Sequence, residues 1–496
     1  MNVISHYQNK PQLKLNFNWF DKNGRFAYGK EFCIDQPSFN LALCPVGKLD
    51  LIESTWEKSG VTSPENFNIL KWLNKKLAEK GLVAAPSDWI SKKVLGIYLQ
   101  EMLNELQFLL SDSISIFIHS AEVKKIQARK EEYELICSED EKFSEEVFQR
   151  IKIGVAKYPV QITSEEETII NFSSSSRQVR YYGNPKRNTD NFKEIRLTDQ
   201  VLISATNEFF FNCLFAVTEG RGGEFYVLDG MLIYEKSGNE PMSIFPFFPF
   251  GLPYLTDPYH KPPPYKFKFL TEQWENDLLN KAESIAINFE KEVFDCFIME
   301  LNEVADIKIE DQHQNFLVAY FSFVLDHSAS HNQEFHQMAL ESFVKLITGN
   351  PCTYVFSLAE IWNKVSLVIK KILLHNDFSD KNYNEFCSRY KHRFDWLTLQ
   401  IPPIYIFKII ALAEARILFF RLGNDTIVHG DLMRGMFIAS SYQSKYEKHA
   451  NIYIDTAGIY NVSLKTDTAF FELLKKEDVI DRKVCFQFAA RGYLVF

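Results

Sequence analysis

Residues 218–225 read TEGRGGEF, and residues 232–241 continue the chain as LIYEKSGNEP. Three glycines around an arginine are typical of a loop that holds a phosphate. Backbone N–H groups that can hold an anion point outward only at the N-terminus of a helix. The position of the neighbouring helix therefore decides what this stretch does.

The sequence before the glycines predicts a strand, a short junction and a helix, in that order. Val201–Ile203 is apolar and mostly β-branched, residues 204–208 are largely polar, and residues 209–217 form an apolar run of helical length. The three glycines of EGRGG then follow the helix C-terminus, where glycine adopts the left-handed conformation. A phosphate would instead lie at the 204–208 junction, which contains no glycine.

Composition restricts the class of protein and its partners. The chain has 496 residues, of which 46% are hydrophobic, and this is enough for two or three domains with sizeable cores. A net charge of −9 and a pI near 5.8 disfavour nucleic acid or an anionic membrane as the main partner. The eight cysteines form no C-x-x-C pair, and the N-terminus has no signal pattern. We expect a cytoplasmic protein with no membrane span.

Hydrophobic patterning predicts strands near both ends of the chain and helices between them. Residues 13–20 alternate as a strand and are followed by Asp21 and by Asn23-Gly24. An acidic residue at the tip of such a strand holds a ribose in dinucleotide folds, although the same residues also make a good turn. The other predicted elements are a helix at 95–110, strands at 115–119, 131–137 and 451–455, and a helical region from about 272 to 422 that includes helices at 276–304, 333–347 and 358–374.

Three other groups of polar residues have weaker interpretations. His327, His331 and Glu334 could share a helix face as metal ligands, but the spacing lacks the H-E-x-x-H base and favours a solvated surface. Glu219 and Arg221 could contact a ligand or act as a charged helix cap. The four serines at 173–176 favour a flexible loop. We therefore expect no metal, and no catalytic residue can be named.

Several stretches together resemble a known family. They are FDKNGRFAYG (20–29), ENFNILKWL (65–73), KKVLGIYLQEML (92–103), VTEGRGGEF (217–225), LIYEKSGNEP (232–241), GLPY (251–254) and IIALAEARIL (409–418). Taken together, they resemble the FAD/NAD(P)-binding proteins related to flavin-dependent aspartate N-monooxygenase and FAD-dependent urate hydroxylase. The similarity extends over nearly the whole chain, and the pair EGRGG and YxxSGxEP at this spacing is its specific part.

The resemblance implies an α/β fold with two Rossmann-like dinucleotide-binding domains and a helical region. It implies a discontinuous FAD-type domain at 1–142 and 450–496, an NAD(P)-type domain at 143–271, and a mainly helical region at 272–449. It also implies the cofactors FAD and NADPH, a reduced flavin that activates oxygen, and a small polar metabolite as substrate. The family positions implied to bind cofactor are Asp21, Gly24, Tyr28, Gly220, Arg221, Gly222, Gly223 and Gly458.

The sequence departs from the family at both cofactor turns. The family begins with a strand and a G-x-G-x-x-G turn, whereas this chain starts with the family's second strand, as a truncated gene model would. At the NADPH turn, Ala205 and Asn207 stand where the family has glycines. A side chain there obstructs the approach of a pyrophosphate to the backbone, so we expect poor NADPH binding.

Two functions of different class remain. The first is a monooxygenase-like flavoprotein with degenerate glycine motifs that acts on a small polar metabolite. The second is a non-catalytic descendant that keeps the fold and serves as a binding or partner subunit. The altered NADPH turn favours the non-catalytic subunit. A truncated N-terminus would leave the flavoprotein reading open.

Overall fold

The computed structural model describes residues 14–29, 31–42, 44–49, 67–109, 114–129, 132–137, 147–148, 152–153, 164–183, 189–205, 209–248, 255–256, 265–305, 353–375, 378–379, 382–386, 391, 394–395, 400–423, 425–442, 445–456 and 494–495. The chain divides into two compact units. The first unit comprises 1–153, 469–481 and 495–496, and the second comprises 154–468 and 482–494.

The described residues form a mixture of helices and strands that includes parallel sheets, which is an α/β organisation. The helices are α1 (Ile69–Ala78), α2 (Lys92–Leu109), α3 (Ser164–Ser175), α4 (Phe209–Ala216), α5 (Glu272–Ala282), α6 (Asp295–Ala305), α7 (Thr353–His375), α8 (Asn382–Phe386) and α9 (Pro403–Glu414). The strands are β1 (Leu15–Phe20), β2 (Ile114–His119), β3 (Val123–Arg129), β4 (Glu132–Cys137), β5 (Val147–Phe148), β6 (Lys152–Ile153), β7 (Arg180–Gly183), β8 (Gln200–Ser204), β9 (Glu224–Leu228), β10 (Met231–Glu235), β11 (Ser243–Phe247), β12 (Leu255–Thr256), β13 (Gln400–Ile401), β14 (Ile427–Asp431), β15 (Met436–Ser441), β16 (Tyr446–Ala450), β17 (Ile452–Asp455) and β18 (Leu494–Val495).

In the first unit, β1 and β2 pair in parallel, and α1 and α2 lie between them in the chain. Both helices contribute to one apolar core, in which Trp72 stacks edge-on against Tyr98 with ring centroids 5.2 Å apart. The Tyr98 hydroxyl donates to the Phe67 carbonyl at 2.7 Å, so the buried phenol has a partner. Gly96 lets α2 approach the Phe32 carbonyl, because a Cβ at this position would overlap that oxygen.

The second unit contains a four-stranded parallel sheet in the order β11-β8-β17-β7. Its inner strands are apolar on both faces, and Val201, Leu202 and Ile203 have no exposed surface. Such continuous apolar runs are expected where both faces of a parallel sheet are covered. The strand and the helix expected around the 204–208 junction are present as β8 and α4.

The strand β17 lies in the second unit, where it pairs with β7 and β8. The sequence predicts that residues 450–496 join the N-terminal domain, and of these 469–481 and 495–496 belong to the first unit. Asn451 fixes the position of β17, because its side chain accepts from Gln200 N at 2.7 Å and donates to Asp199. The apolar pattern of NIYID predicted a strand, but it carries no information about which sheet the strand joins.

The region at 272–449, predicted to be mainly helical, also contains most of the antiparallel sheet β14-β15-β16, which runs from Ile427 to Ala450. Two local expectations are wrong. Ser173–Ser175, expected in a loop, form the last turn of α3. The single helix expected at 276–304 is interrupted after Ala282 and resumes through a π-helical turn at Glu290–Phe294 that leads into α6.

The helical part of the second unit has its own apolar core. Phe289, Phe297 and Trp362 are almost fully buried in it together with residues of α5, α6 and α7. Glu300 of α6 binds the segment that precedes α5, since its carboxylate accepts from the backbone N–H groups of Lys268, Phe269 and Leu270 at 2.8–2.9 Å. The predicted helix at 333–347 lies outside the described residues.

Searching the described helices for a membrane span finds none with the necessary length and apolarity. The described cysteines, which are Cys33, Cys44, Cys137, Cys213 and Cys296, are all free thiols.

Candidate functional site

The carboxyl ends of the four parallel strands of the second unit meet at one edge of the sheet. In sheets of this kind, ligands bind outside the carboxyl ends of the strands, at the point where the chain connections diverge. Here β8 connects through α4 towards β11 on one side, while β17 and β7 lie on the other. The divergence point therefore lies between the ends of β8 and β17.

Ser204 and Asp455 close this divergence point. The Ser204 hydroxyl donates to Asp455 Oδ1 at 2.5 Å and accepts from the backbone N–H of Thr456 at 2.9 Å. The Thr456 hydroxyl donates to the Ser204 carbonyl at 2.5 Å. Ser204 and Thr456 are both buried. These contacts join the ends of two strands whose residues are far apart in the sequence.

Tyr181 extends this group to a second carboxylate. Its hydroxyl lies 3.2 Å from Asp455 Oδ2 and 3.4 Å from Glu166 Oε1. A phenol has one proton, so it donates to one carboxylate at a time. Burial, followed by the negative charge of Asp455, raises the pKa of Glu166. Burial and the same two carboxylates raise the pKa of Tyr181, so it stays neutral. We name the set Glu166, Tyr181, Ser204, Asp455 and Thr456 the edge cluster.

The edge cluster places the carboxylates of Asp455 and Glu166 near the end of β8. Ala205 is fully buried, and its N–H already donates to the Phe247 carbonyl at 2.7 Å. The remainder of the expected NADPH turn, residues 206–208, lies outside the described residues.

The glycines of EGRGG lie after α4, as the sequence predicts, within a short 3-10 turn at Glu219–Arg221. Gly222 ends this turn with φ +94°, a conformation that favours glycine. The guanidinium of Arg221 donates to the Phe192 carbonyl at 2.9 Å, to the Ile195 carbonyl at 2.7 Å and to the Asn239 carbonyl. All three of its nitrogens are therefore used within the protein.

Glu240 of the SGNEP stretch completes the same structure. Its Oε1 accepts from the Tyr234 hydroxyl and from Ser237 N, both at 2.8 Å, and its Oε2 accepts from Gly238 N at 2.9 Å. Gly223 packs against this group, since a Cβ there would overlap the Tyr234 hydroxyl and lie 2.6 Å from Glu240 Oε1. We name residues 219–223 and 237–240 the paired loops.

Burial opposes ionisation of Glu240, but hydrogen bonds to its carboxylate outweigh this, and the net effect is a lowered pKa. Lys408 of α9 forms an ion pair with Glu219, and its ammonium lies over the rings of Phe215 and Phe225 at 4.9 and 4.7 Å. The paired loops thus use their charged groups internally. The cofactor roles implied for Gly220, Arg221, Gly222 and Gly223 stay predictions, and the contacts seen are structural.

Asp21 lies directly after β1 in the first unit, at the position that the sequence predicts. Its backbone N–H donates to the His119 carbonyl at 3.1 Å, so it sits where the parallel strands β1 and β2 both end. Its Oδ1 accepts from Asn23 N at 2.8 Å and from Arg25 N at 3.0 Å. Among the described residues, Asp21 Oδ2 has no hydrogen-bond partner.

Gly24 and Tyr28 lie in the turn after Asp21. Gly24 adopts φ +64°, and a Cβ there would lie 3.0 Å from the Ser120 hydroxyl oxygen. The backbone N–H of Tyr28 donates to the Phe26 carbonyl at 2.9 Å. The sequence contains no G-x-G-x-x-G turn for a pyrophosphate. The cofactor roles implied for Asp21, Gly24 and Tyr28 stay predictions, and Gly458 lies outside the described residues.

Sequence reasoning missed the members of the edge cluster. Tyr181 lies on a short strand, β7, and Glu166 lies in the first turn of α3, and the sequence predicted neither element. One sequence feature could have indicated the cluster. Asp455 ends the predicted strand NIYID, and side chains at the carboxyl ends of parallel strands are often functional. No three His, Cys, Asp or Glu side chains of the described residues come together as a metal site. His327, His331 and Glu334 lie outside these residues.

No protein-family model and no curated protein matches the chain. Three solved structures resemble it in part. The ornithine N-hydroxylase of Kutzneria sp. 744, described with reduced FAD, NADP+ and L-ornithine, is 8% identical, with a TM-score of 0.35 over 92% of this chain and 77% of that one. The cadaverine monooxygenase of desferrioxamine biosynthesis from Erwinia amylovora, bound to FAD, is 10% identical, with a TM-score of 0.39 over 96% and 78%. Ornithine hydroxylase from Pseudomonas aeruginosa is 10% identical, with a TM-score of 0.35 over 92% and 79%.

By their descriptions, all three are hydroxylases or monooxygenases, two of ornithine and one of cadaverine. Aspartate N-monooxygenase and urate hydroxylase are not among these three. Identities and TM-scores of this size assign neither a function nor a cofactor to this chain.

Proposed function

We propose that this chain is a flavoprotein related to the FAD- and NAD(P)-dependent monooxygenases and acts on a small polar metabolite. The observation that carries the proposal is the paired loops. EGRGG and YxxSGxEP are the specific sequence features of that family, and here they fold against each other through Arg221, Gly223 and Glu240. Their joint presence therefore has a physical reason, which chance similarity would not supply.

The proposed architecture has two dinucleotide-binding domains. Parallel strands that end at a common edge support it in both units, through β1 and β2 in the first and through the four-stranded sheet in the second. In this proposal the first unit holds FAD, and Asp21 Oδ2 accepts a ribose hydroxyl while Oδ1 keeps the turn closed. The second unit corresponds to the NAD(P)-type domain.

A bound and reduced flavin would supply the electrons that activate oxygen. The contribution of this chain's own residues is positional. Asp21 orients the nucleoside, and the paired loops hold α4 and the β9–β10 hairpin. In the second unit the edge cluster presents carboxylates where an NADPH pyrophosphate would lie, and this opposes its binding. We propose that NADPH reduces this protein slowly.

The first experiment measures flavin binding. Protein purified with added FAD is desalted, and the flavin retained is read from its absorbance band. We expect retention close to one flavin per chain, and Asp21→Ala should weaken FAD binding by about tenfold or more through loss of a charged hydrogen bond. Asp88→Ala is the matched control, because Asp88 also accepts a backbone N–H in a turn of the first unit, from Ala85 at 2.8 Å.

Absence of FAD binding to the wild-type chain would end this proposal and favour the non-catalytic partner subunit. Equal affinity of Asp21→Ala and Asp88→Ala would show that Asp21 only closes a turn. Rapid loss of the flavin band on stopped-flow mixing with micromolar NADPH would show that the second unit binds the reductant despite the edge cluster. Ornithine and cadaverine form the first substrate panel, because the three solved structures are enzymes named for these amines.

A further inference from the structure

Lys448 lies on the inner face of β16, among mainly apolar side chains. Side chains alternate along a strand, so Tyr446, Lys448 and Ala450 share one face of β16. Ala450 is buried in an apolar core of the second unit, and Tyr446 packs against that core. The Nζ of Lys448 lies 4.3 Å from the centroid of the Phe245 ring, which belongs to the same core. A charged side chain is therefore held on a face that buries apolar groups.

The strands around Lys448 supply no charged group. β15 pairs with β16, β8 packs against it, and β11 carries Phe245. Their sequences are MFIASS, QVLIS and SIFPF, which contain no acidic or basic residue. On β16 itself, Glu447 and His449 lie on the opposite face, 3.5 Å from each other. Within the part of the chain that the structure describes, the Nζ of Lys448 has neither a carboxylate nor a hydrogen-bond acceptor as partner.

Two other lysines show what Lys448 lacks. Lys76 lies over an aromatic ring and also pairs with Glu101. Lys408 lies over aromatic rings and also pairs with Glu219. A ring face attracts a cation but accepts no strong hydrogen bond, so it offsets only part of the hydration that burial removes. Lys448 has only the ring, and burial lowers the pKa of its ammonium group.

This environment favours one class of reaction at the amine. A partly buried lysine without an anion is a better nucleophile near neutral pH, because more of it is unprotonated. Removing the charge also removes the cost of holding it on an apolar face. Acylation neutralises the amine, whereas methylation keeps the charge. The surroundings of Lys448 therefore select an activated acyl donor as the reactant.

We propose that Lys448 is a site of acylation by small activated acyl donors, namely acyl phosphates and thioesters. The unprotonated Nζ attacks the carbonyl carbon with its lone pair, and a C–N bond forms. The C–O bond of the acyl phosphate or the C–S bond of the thioester breaks, and the leaving phosphate or thiolate takes that electron pair. The amine gives up one proton to the leaving group or to water, so the step needs no oxidant or reductant. The product is a neutral amide beside the Phe245 ring.

Competitive acetylation of the full chain compares this site with Lys445, the nearest other lysine in the sequence, which is exposed. The probes are acetyl phosphate and an acetyl thioester, in separate reactions from about pH 6 to about pH 9. Cleavage after Glu447 places the two lysines on separate peptides for mass spectrometry. We expect Lys448 to react about threefold faster than Lys445 at neutral pH, with a ratio that falls as the pH rises. The probe that gives the higher rate identifies the donor.

A substitution on the same face tests the cause. Tyr446→Glu supplies a carboxylate beside Lys448, and Tyr446→Gln is its neutral control. Ion pairing should slow the acetylation of Lys448 by about threefold or more in the glutamate variant alone. The rate at Lys236, an exposed lysine elsewhere in the second unit, should not change. Circular dichroism checks that both variants fold.

Two results would overturn the proposal. The first is a wild-type Lys448 that reacts no faster than Lys445 at neutral pH with either donor, and this result needs no variant. The second is a folded Tyr446→Glu variant in which Lys448 reacts as fast as in Tyr446→Gln, since the lack of an anion would then not be the cause. These rates do not depend on flavin, so the proposal stands or fails apart from the proposed function.

Discussion

The paired loops and the edge cluster lie in the same unit, and both collect charged side chains, but they use them differently. In the paired loops, Arg221 donates only to backbone carbonyls and Glu240 accepts four hydrogen bonds from its own surroundings. In the edge cluster, Asp455 and Glu166 share one phenol, and Asp455 also accepts from the Ser204 hydroxyl. The first arrangement joins two loops, and the second places two carboxylates at the carboxyl ends of the parallel strands.

This difference teaches that a motif can identify a family without marking its site. The glycines of EGRGG resemble a phosphate loop in sequence, yet they follow a helix and pack under Tyr234. The residues of the edge cluster carry no motif at all. If the comparison holds, substitutions in the paired loops lower stability, and substitutions in the edge cluster change the response to pH and ligands.

The largest effect is expected for Gly223→Ala. The new methyl group would overlap the Tyr234 hydroxyl and crowd Glu240 Oε1, and both groups are held by hydrogen bonds. We expect the free energy of unfolding to fall by about 3 kcal/mol, measured by urea denaturation. Gly238→Ala is the control, because Gly238 has φ +81° with nothing nearby, and only backbone strain of about 1 kcal/mol applies. If the two variants lose the same free energy of unfolding, the packing of Gly223 against Tyr234 and Glu240 does not contribute to stability, and the contrast between the paired loops and the edge cluster fails.

Arg221→Lys should have the second largest effect. A lysine cannot reach the carbonyls of Phe192, Ile195 and Asn239 together, and the carbonyls it leaves are partly buried. We expect a loss of about 2 kcal/mol in the free energy of unfolding, with flavin retention unchanged. Arg177→Lys on the exposed surface is the control. Loss of flavin with full stability would instead give Arg221 the cofactor role that the sequence implies.

Ser204→Ala tests the edge cluster and should have a smaller effect. It removes the donor to Asp455 and leaves the buried Thr456 N–H without its acceptor. We expect the free energy of unfolding to fall by about 1–2 kcal/mol, read by denaturation at neutral pH. Ser174→Ala should be nearly neutral, since its hydroxyl only donates to the Ile170 carbonyl within α3. If Ser204→Ala does not change the free energy of unfolding, the hydrogen bonds of Ser204 between the ends of β8 and β17 do not contribute to stability.

Local elements of the fold were predictable where apolar residues recur at regular spacing and where glycine or polar residues mark the end of an element. The strand that ends at Asp21, the order of β8 and α4, and the position of the glycines after α4 all follow from apolar spacing and from glycine's conformational freedom. They depend on neighbours in sequence. The helix break after Ala282 was not predictable in the same way, because the apolar spacing of α5 and α6 continues across it.

The edge cluster could not be predicted, because its contacts are distant in the chain. Ser204 and Asp455 are separated by 251 residues, and Tyr181 and Asp455 by 274. The strand pattern of NIYID is satisfied equally by any buried parallel position, so it does not select β8 as the neighbour. The side chains of Asn451 and Asp199 fix β8 as the neighbour of β17. Polar contacts of this kind follow no regular spacing in the sequence, so the sequence does not predict them.

The smallest effect, and the one that most sharpens the comparison, is the pH dependence of Glu166→Gln. Burial, followed by the charge of Asp455, raises the pKa of Glu166 in the folded protein above its ordinary value. The folded state therefore binds this proton more tightly than the unfolded state does. The associated stability is present in acid and is lost as the pH rises through the raised pKa of Glu166.

Glu166→Gln removes this titration, and a glutamine can still accept from the Tyr181 hydroxyl. We expect the variant to lose less stability than the wild type between about pH 4 and about pH 8 and to be slightly more stable at neutral pH, as measured by urea denaturation across that range. Glu167→Gln is the control, because Glu167 is exposed in the same first turn of α3 and should follow the wild-type curve. If Glu166→Gln also follows that curve, neither burial nor the charge of Asp455 raises the pKa of Glu166 in the folded protein, and the edge cluster does not control its ionisation.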